Sequence, residues 1–338
     1  MPGLWAVAPG AVPPAAAGVT IPSRTSPAHY PMPSFSWSPS MPHFQRTAAI
    51  TLFVTAAACA QRDFSNVEVK ATAVAGRVHM LTGAGGNVGV SAGPDGVLIV
   101  DDQFAPLAEK IRAAIAGITG GSSEVTFVLN THWHGDHTGG NPHFGRDAVI
   151  VAHTNVRNRL STAQTLFGRT VEPLPTEGLP AVTFDEGLSI HFNGEEIKVG
   201  HFPNSHTDGD SIIHFTRSNV IHMGDTFFAD RFPFVDLDHG GDIQGLIRTV
   251  EHVLTTMPPD AKLIPGHGPL SDRDDLKGYL EMLKATTAVV ARGIATGTSL
   301  QDLQAAGLPD EWKRWANSET ASADWIATVH KSLTREGG

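Results

Sequence analysis

Four residues able to hold a metal fall within six positions of one another: His132, His134, Asp136 and His137. They stand in the run Val128-Leu129-Asn130-Thr131-His132-Trp133-His134-Gly135-Asp136-His137-Thr138-Gly139-Gly140. Imidazole nitrogen and carboxylate oxygen together suit zinc, and iron and manganese accept the same donors. One histidine alone is usually structural, and two at alternate positions arise by chance on surfaces. Four ligand-type residues directly after an apolar run are better explained as a metal centre. A strand end gives rigidity, and the glycines let the chain bend so that all four side chains converge.

Three later residues stand in a similar context. His206 lies in Asn204-Ser205-His206-Thr207-Asp208-Gly209, Asp225 follows the apolar run Val220-Ile221-His222-Met223, and His267 lies in Pro265-Gly266-His267-Gly268-Pro269. Each is expected at the C-terminal end of a short strand, where a loop can aim it into a common crevice. Asp101 and Asp102 end another apolar run, Val97 to Val100, and either is a candidate to hold the free N–H of a ligand histidine. Both also suit an ordinary turn. The segment from Phe227 to Asp242 is rich in Phe, Asp, His and Gly, and offers a pocket wall with His239 as its polar contact.

Short strands are expected at 67–74, 77–81, 88–91 and 97–100, with Gly-rich or Pro-Asp-Gly turns separating several of them. Leu107, Ile111, Ile115 and Ile118 have helical spacing within 106–118. Residues 125–129 and 148–152 are continuous apolar runs and read as buried strands. Thr154 is placed to cap a helix reaching about Ser161, and 168–181 reads as loop. Several short strands follow from 182 to 223, then a helix over 241–257, a short strand at 262–264, and a mostly helical remainder from about Asp272 that Pro309 interrupts. Strands with helices, twice over, imply two mixed sheets face to face with helices outside. No repeat of fixed period is present.

The order His132-x-His134-x-Asp136-His137, then a distant His, an Asp and a final Gly-His-Gly resembles the metallo-β-lactamase superfamily, over roughly residues 67–270. The resemblance implies an α/β fold, the αβ/βα four-layer sandwich, with its site at one edge. It further implies two zinc ions per chain. His132, His134 and His206 would hold one, Asp136, His137 and His267 the other, and Asp225 would bridge them, as in the glyoxalase II-like and lactonase-like branches. Such metals lower the pKa of water from about 16 toward ~7, and the hydroxide attacks a carbonyl or phosphoryl centre. Asp136 is also placed to orient that hydroxide and pass a proton to the leaving group.

The expected function is hydrolysis of a small ester, lactone or related acyl substrate. β-Lactam hydrolysis is the alternative. Against it, several zinc β-lactamases carry a cysteine near the position of Asp225 and a lysine soon after. Here Thr226-Phe227-Phe228-Ala229 follows, and Arg231 is the nearest cation in the sequence. A phosphodiesterase, a mononuclear-iron dioxygenase and a non-catalytic metal-binding scaffold complete the choices. The full second ligand set speaks against the last two. Two other patterns mislead. Gly89-Val90-Ser91-Ala92-Gly93 has the spelling of a nucleophile elbow, but a turn and another strand follow instead of a helix. Gly83 to Gly89 is glycine-rich without the helix and Lys-Ser/Thr of a phosphate loop.

The formal net charge of the 338-residue chain is −10, and no basic stripe is present, so a small-molecule substrate is expected rather than nucleic acid. Residues 1–40 are rich in Pro, Ala and Ser, hold no acidic residue and read as a disordered or mis-assigned extension. Residues 41–60 have the basic head, apolar run and Ala58-Cys59-Ala60 site of a signal peptide. Residues 61–338 would then form an exported periplasmic or secreted hydrolase domain, not stably inserted in a membrane. Lipidation at Cys59, the single cysteine, is the less favoured route. Translation is expected to start at Met41. The intact mass of the native precursor should therefore match a chain beginning there, and a mass that includes Met1 would refute this start.

Overall fold

The computed structural model describes residues 63–335. The extension 1–40 and the signal segment 41–60, with Cys59, lie outside the described residues. The strands are β1 (Lys70–Ala75), β2 (Val78–Thr82), β3 (Val88–Gly93), β4 (Gly96–Val100), β5 (Phe127–Leu129), β6 (Val149–His153), β7 (Gln164–Leu166), β8 (Arg169–Val171), β9 (Val182–Phe184), β10 (Gly187–Phe192), β11 (Glu195–His201), β12 (Ser211–Phe215), β13 (Val220–Phe228) and β14 (Lys262–His267). The helices are α1 (Ala108–Thr119), α2 (Gly135–Thr138), α3 (Asn141–Phe144), α4 (Thr154–Leu160), α5 (Ile243–Thr256), α6 (Arg273–Ala295), α7 (Leu300–Ala306) and α8 (Ala321–Thr334).

Seven strands form one sheet in the order β1-β2-β3-β4-β5-β6-β9, and five form a second in the order β10-β11-β12-β13-β14. Strands β1 to β4 pair antiparallel, and β4, β5, β6 and β9 pair parallel. The second sheet is antiparallel up to β13, which pairs parallel with β14.

The strand period of two sorts side chains between layers. In β4, Leu98 and Val100 face the second sheet and pack with Ile197, Val199, Ile213 and Phe215. Val97 and Ile99 face the other way, onto Ile111 and Ile115 of α1. In the second sheet, Val220 and Ile264 point inward, whereas Ile221, Met223 and Leu263 point outward onto α5, α6 and α8. The result is helix, sheet, sheet, helix: the αβ/βα four-layer sandwich. Both buried sheet faces explain why β4 and β5 read as continuous apolar runs.

The structure departs from the sequence reading in four places. The segment 168–181, expected as loop, contributes β8 to a two-residue hairpin with β7 and a single 3₁₀ turn at Thr176–Gly178. The helix α4 is capped by His153, whose side chain accepts from the Asn155 amide, and Thr154 is its first residue. Asp136 and His137 lie in the one-turn helix α2 rather than in open loop. Asp225 lies inside β13, which runs on past it, so it does not follow a strand end.

At the mouth of the second sheet, α5 fixes the chain that leads to it. Asp242 caps α5 by accepting from the Gly245 amide, and its other oxygen accepts from Ser332 of α8. Its own amide donates to Ser205, next to His206. Asp242→Ala should remove the cap and the tie to α8 together. The expected loss is about 1–2 kcal/mol, read as a fall of a few degrees in Tm, with Asp242→Asn recovering most of it.

Candidate metal centre

The loop after β5 is anchored before it reaches the site. Trp133 is buried among Ala152, Val156 and Leu160, and the Thr138 hydroxyl donates to the carbonyls of Trp133 and His134. The strand β13 approaches from the other sheet at Gly224. Its φ is +50°, and a Cβ there would press on the Thr131 side chain at 2.7 Å, so only glycine admits this close approach. The irregular pairing of β13 with β14 around Gly224 swings Asp225 into the cleft beside His267.

Two groups of donor atoms meet there: His132, His134, His206 and Asp225 in one, and Asp136, His137 and His267 in the other. In the first, His132 Nε2 and His206 Nε2 lie 3.1 and 2.9 Å from His134 Nδ1. Asp225 Oδ2 lies 3.8 Å from His132 Nε2 and 3.5 Å from His206 Nε2. In the second, His267 Nε2 lies 3.4 Å from both His137 Nε2 and an Asp136 oxygen. Asp225 joins the groups, because Oδ1 is 3.0 Å from His137 Nε2 and Oδ2 is 3.4 Å from His267 Nε2.

The hydrogen bonds on the far sides of these rings decide where the lone pairs point. His206 Nδ1 meets the Phe234 carbonyl at 2.8 Å, which only accepts, so Nδ1 carries the proton. His134 Nε2 likewise donates to the Asp236 carboxylate at 2.9 Å. The Thr131 hydroxyl donates to Asp101, so its oxygen accepts from His132 Nδ1 at 3.0 Å. All three rings therefore turn bare lone pairs toward one point. Burial, with the neighbouring histidines, holds His132 well below the usual histidine pKa, and burial carries His206 down to about 4. Lone pairs at such separations repel unless a cation lies between them. Ligands at zinc–nitrogen distances of about 2.0–2.1 Å stand roughly 3.3 Å apart in a tetrahedron, so the donor set fits.

The second group calls for positive charge in a different way. Burial opposes protonation of His137, but Asp225, Asp101 and Asp136 outweigh it and raise its pKa well above the usual value. His267 rises to about 9 against burial, mainly through Asp225 and then the bond to Asp136. Burial also opposes the charge on Asp136, yet His137 and His267 hold it at about 2. Asp225 Oδ1 is buried and has no partner with hydrogen-bond geometry. Burial opposes the Asp225 charge, but His137 and His267 outweigh it and hold its pKa well below the usual carboxylate value, so the group stays an anion able to meet a cation. The centre opens on the second group: the side chains of Asp136 and His267 are 28% and 16% exposed, whereas those of His132 and His206 are 1% and 0%.

Asp101 is placed as the sequence allows. Its Oδ2 accepts from His137 Nδ1 at 2.7 Å and its Oδ1 from the Thr131 amide. Asp102 reaches no ligand histidine. Its Oδ1 accepts from the Gly140 amide, and burial raises its pKa well above the carboxylate range. His239 lies one step behind the centre, with Nδ1 2.8 Å from both Asp236 oxygens and its ring 4.8 Å from Trp133. Sequence reasoning missed Asp236, the partner of His134. Its only signal was membership of the His- and Asp-rich segment 227–242. The glycine-rich turn 83–89 serves the centre too: the Gly86 amide donates to Asp136 O, and the His137 ring occupies the place of a Gly86 side chain.

A family model, the metallo-beta-lactamase superfamily, matches residues 81–267, from β2 to the last histidine of the centre. The chain belongs to the metallo-beta-lactamase superfamily. A hydroxyacylglutathione hydrolase from Polaromonas sp. is 28% identical over 172 residues, covering 48% of this chain and 55% of that protein. A second hydroxyacylglutathione hydrolase, from Nitrosococcus oceani, is 29% identical over 158 residues, covering 42% and 48%. The chain thus spans about half the length of these curated relatives. A solved metallo-beta-lactamase from Pontibacter korlensis superposes with a TM-score of 0.53 at 17% identity, covering 64% of this chain and 99% of that one. That likeness is one of fold.

The His134–Asp236 bond generates a test. Asp236→Ala should weaken metal binding about 10–100-fold, measured by competition with a chromophoric chelator, while Asp236→Asn, which still accepts a hydrogen bond, should lose less.

Proposed function

We propose that this chain is an exported two-zinc hydrolase of a small ester, lactone or related acyl substrate. The observation that carries the reading is Asp225, whose two oxygens face both donor groups. A shared carboxylate is what a paired metal centre needs. His132, His134 and His206 would hold one zinc, Asp136, His137 and His267 the other, with Asp225 common to both. When bound, such a pair supplies Lewis acidity that brings the pKa of water toward ~7 and polarises a carbonyl.

The protein's own groups supply the rest. Asp136 stays an anion at the open side of the centre and accepts a hydrogen bond from the attacking water. The same oxygen is placed to take that water's proton as it attacks and then pass it to the leaving group. Asp101 and Asp236 fix the ring planes of His137 and His134, so the donors need no rearrangement during the reaction. Phe228 stacks on His267 at 5.0 Å and keeps one side of the cleft dry.

Two relatives bear the name hydroxyacylglutathione hydrolase, which supports acyl transfer to water over phosphoryl transfer. No helix among the described residues is long and apolar enough to cross a membrane, and export rests on the segment 41–60.

Metal analysis beside a panel of lactone, thioester and nitrocefin tests the proposal. Two zinc per chain with lactone or thioester turnover and no nitrocefin turnover is expected. Nitrocefin turnover without the others would replace it with the β-lactam reading. Asp136→Ala and His134→Ala should each cost about a thousandfold or more in kcat/KM with the fold kept. Unchanged turnover in either would sink the site.

A further inference from the structure

The hairpin β7–β8 has a side chain in a place that folding alone does not favour. Its two-residue turn is Phe167-Gly168, with φ of +51° and +71°. Hairpin turns of this kind prefer Asn, Asp or Gly at both positions, and a bulky residue in the left-handed region is disfavoured. Phe167 is nevertheless 75% exposed, the most exposed of the large apolar side chains among the described residues. Strain that presents an apolar ring to water usually serves a contact.

The ring does not point away from the centre. It lies 4.9 Å from the Phe234 ring, tilted at 46°. The Phe234 ring in turn lies 5.7 Å from both the His134 and His206 rings. A continuous aromatic path thus runs from the first donor group to the hairpin tip. Between hairpin and α8 is a cleft of about 320 Å³, apolar along Phe167, Phe234 and Ala327 and polar along Asp236, Asp238 and Lys331. Its floor is the segment whose Phe234 carbonyl and Asp236 carboxylate orient His206 and His134. The charges at its edge cancel, since Lys331 Nζ binds Asp238 Oδ1 at 2.6 Å.

We propose that this cleft is a substrate subsite: it takes an apolar substituent, an alkyl or aryl group attached to the scissile acyl centre, with Phe167 as its specificity-determining contact. This deepens the acyl-hydrolase reading and rests on it. A substrate held at the metal centre would pass its apolar part over Phe234 and beneath Phe167. A short acyl group would use the centre and leave the cleft unused. Chain length should therefore be read mainly by the hairpin and α8.

Zinc-loaded protein titrated calorimetrically with straight-chain hydroxamic acids, from acetohydroxamic to decanohydroxamic acid, separates the two parts. Affinity should rise about tenfold or more along the series. Phe167→Asn, which suits the left-handed turn and keeps the hairpin, should flatten that rise while acetohydroxamic acid binds as before. Thr328→Phe, which fills the cleft from α8, should flatten it too, without touching the turn. A flat series in the wild type, or a full rise in both variants, overturns the proposal. Failure of acetohydroxamic acid itself to bind would instead overturn the metal-centre reading, and the subsite with it.

Discussion

The centre depends on where its imidazole protons are. Phe234 O, Asp236 and the Thr131 hydroxyl each accept a ring N–H from behind, and each bond leaves a bare nitrogen in front. Burial makes that arrangement costly, and a shared cation would make it stable. The same balance dictates the surroundings. Accepting groups must themselves be held, so Asp236 is gripped again by His239 and Asp101 by the Thr131 amide. The His206 loop is stapled by Asp210, which accepts from the amide and hydroxyl of Thr207.

The sandwich supplies the rigidity that this balance requires. Apolar β4 and β5 are packed on both faces; the first four donors follow β5, His206 stands between β11 and β12, Asp225 lies within β13 and His267 ends β14. An isolated hairpin would not hold the His132 and His206 nitrogens 3.1 and 2.9 Å from that of His134. The tight contact of Gly224 with Thr131, and of Gly86 with His137, shows how closely the two halves are fitted around the rings.

That these seven side chains converge was legible because ligand-type residues recur at fixed places beside apolar runs, a pattern that chance seldom writes. The layers were legible too, since period-two alternation and helical spacing differ. Asp236 was not, because a carboxylate that reaches across 102 positions to His134 looks the same in sequence as one that faces water. The hairpin β7–β8 was hidden for a related reason. Phe167 in a left-handed turn contradicts the usual turn chemistry, and Pro173, Pro175 and Pro180 made the whole stretch read as loop. Thr154 lost the cap of α4 to His153 by one position, within the ordinary uncertainty of helix ends.

The donors do not come from one half of the molecule. His132, His134, Asp136 and His137 leave the seven-stranded sheet, while His206, Asp225 and His267 belong to the five-stranded one. A cation held by both is a cross-link that forms only in the native state, since an unfolded chain cannot gather residues 132 to 267 at one point. Its binding free energy is thereby added to the conformational stability, by about 4 kcal/mol when free metal exceeds the dissociation constant a thousandfold. The compartment that sets the metal activity would then set the lifetime of the fold as well.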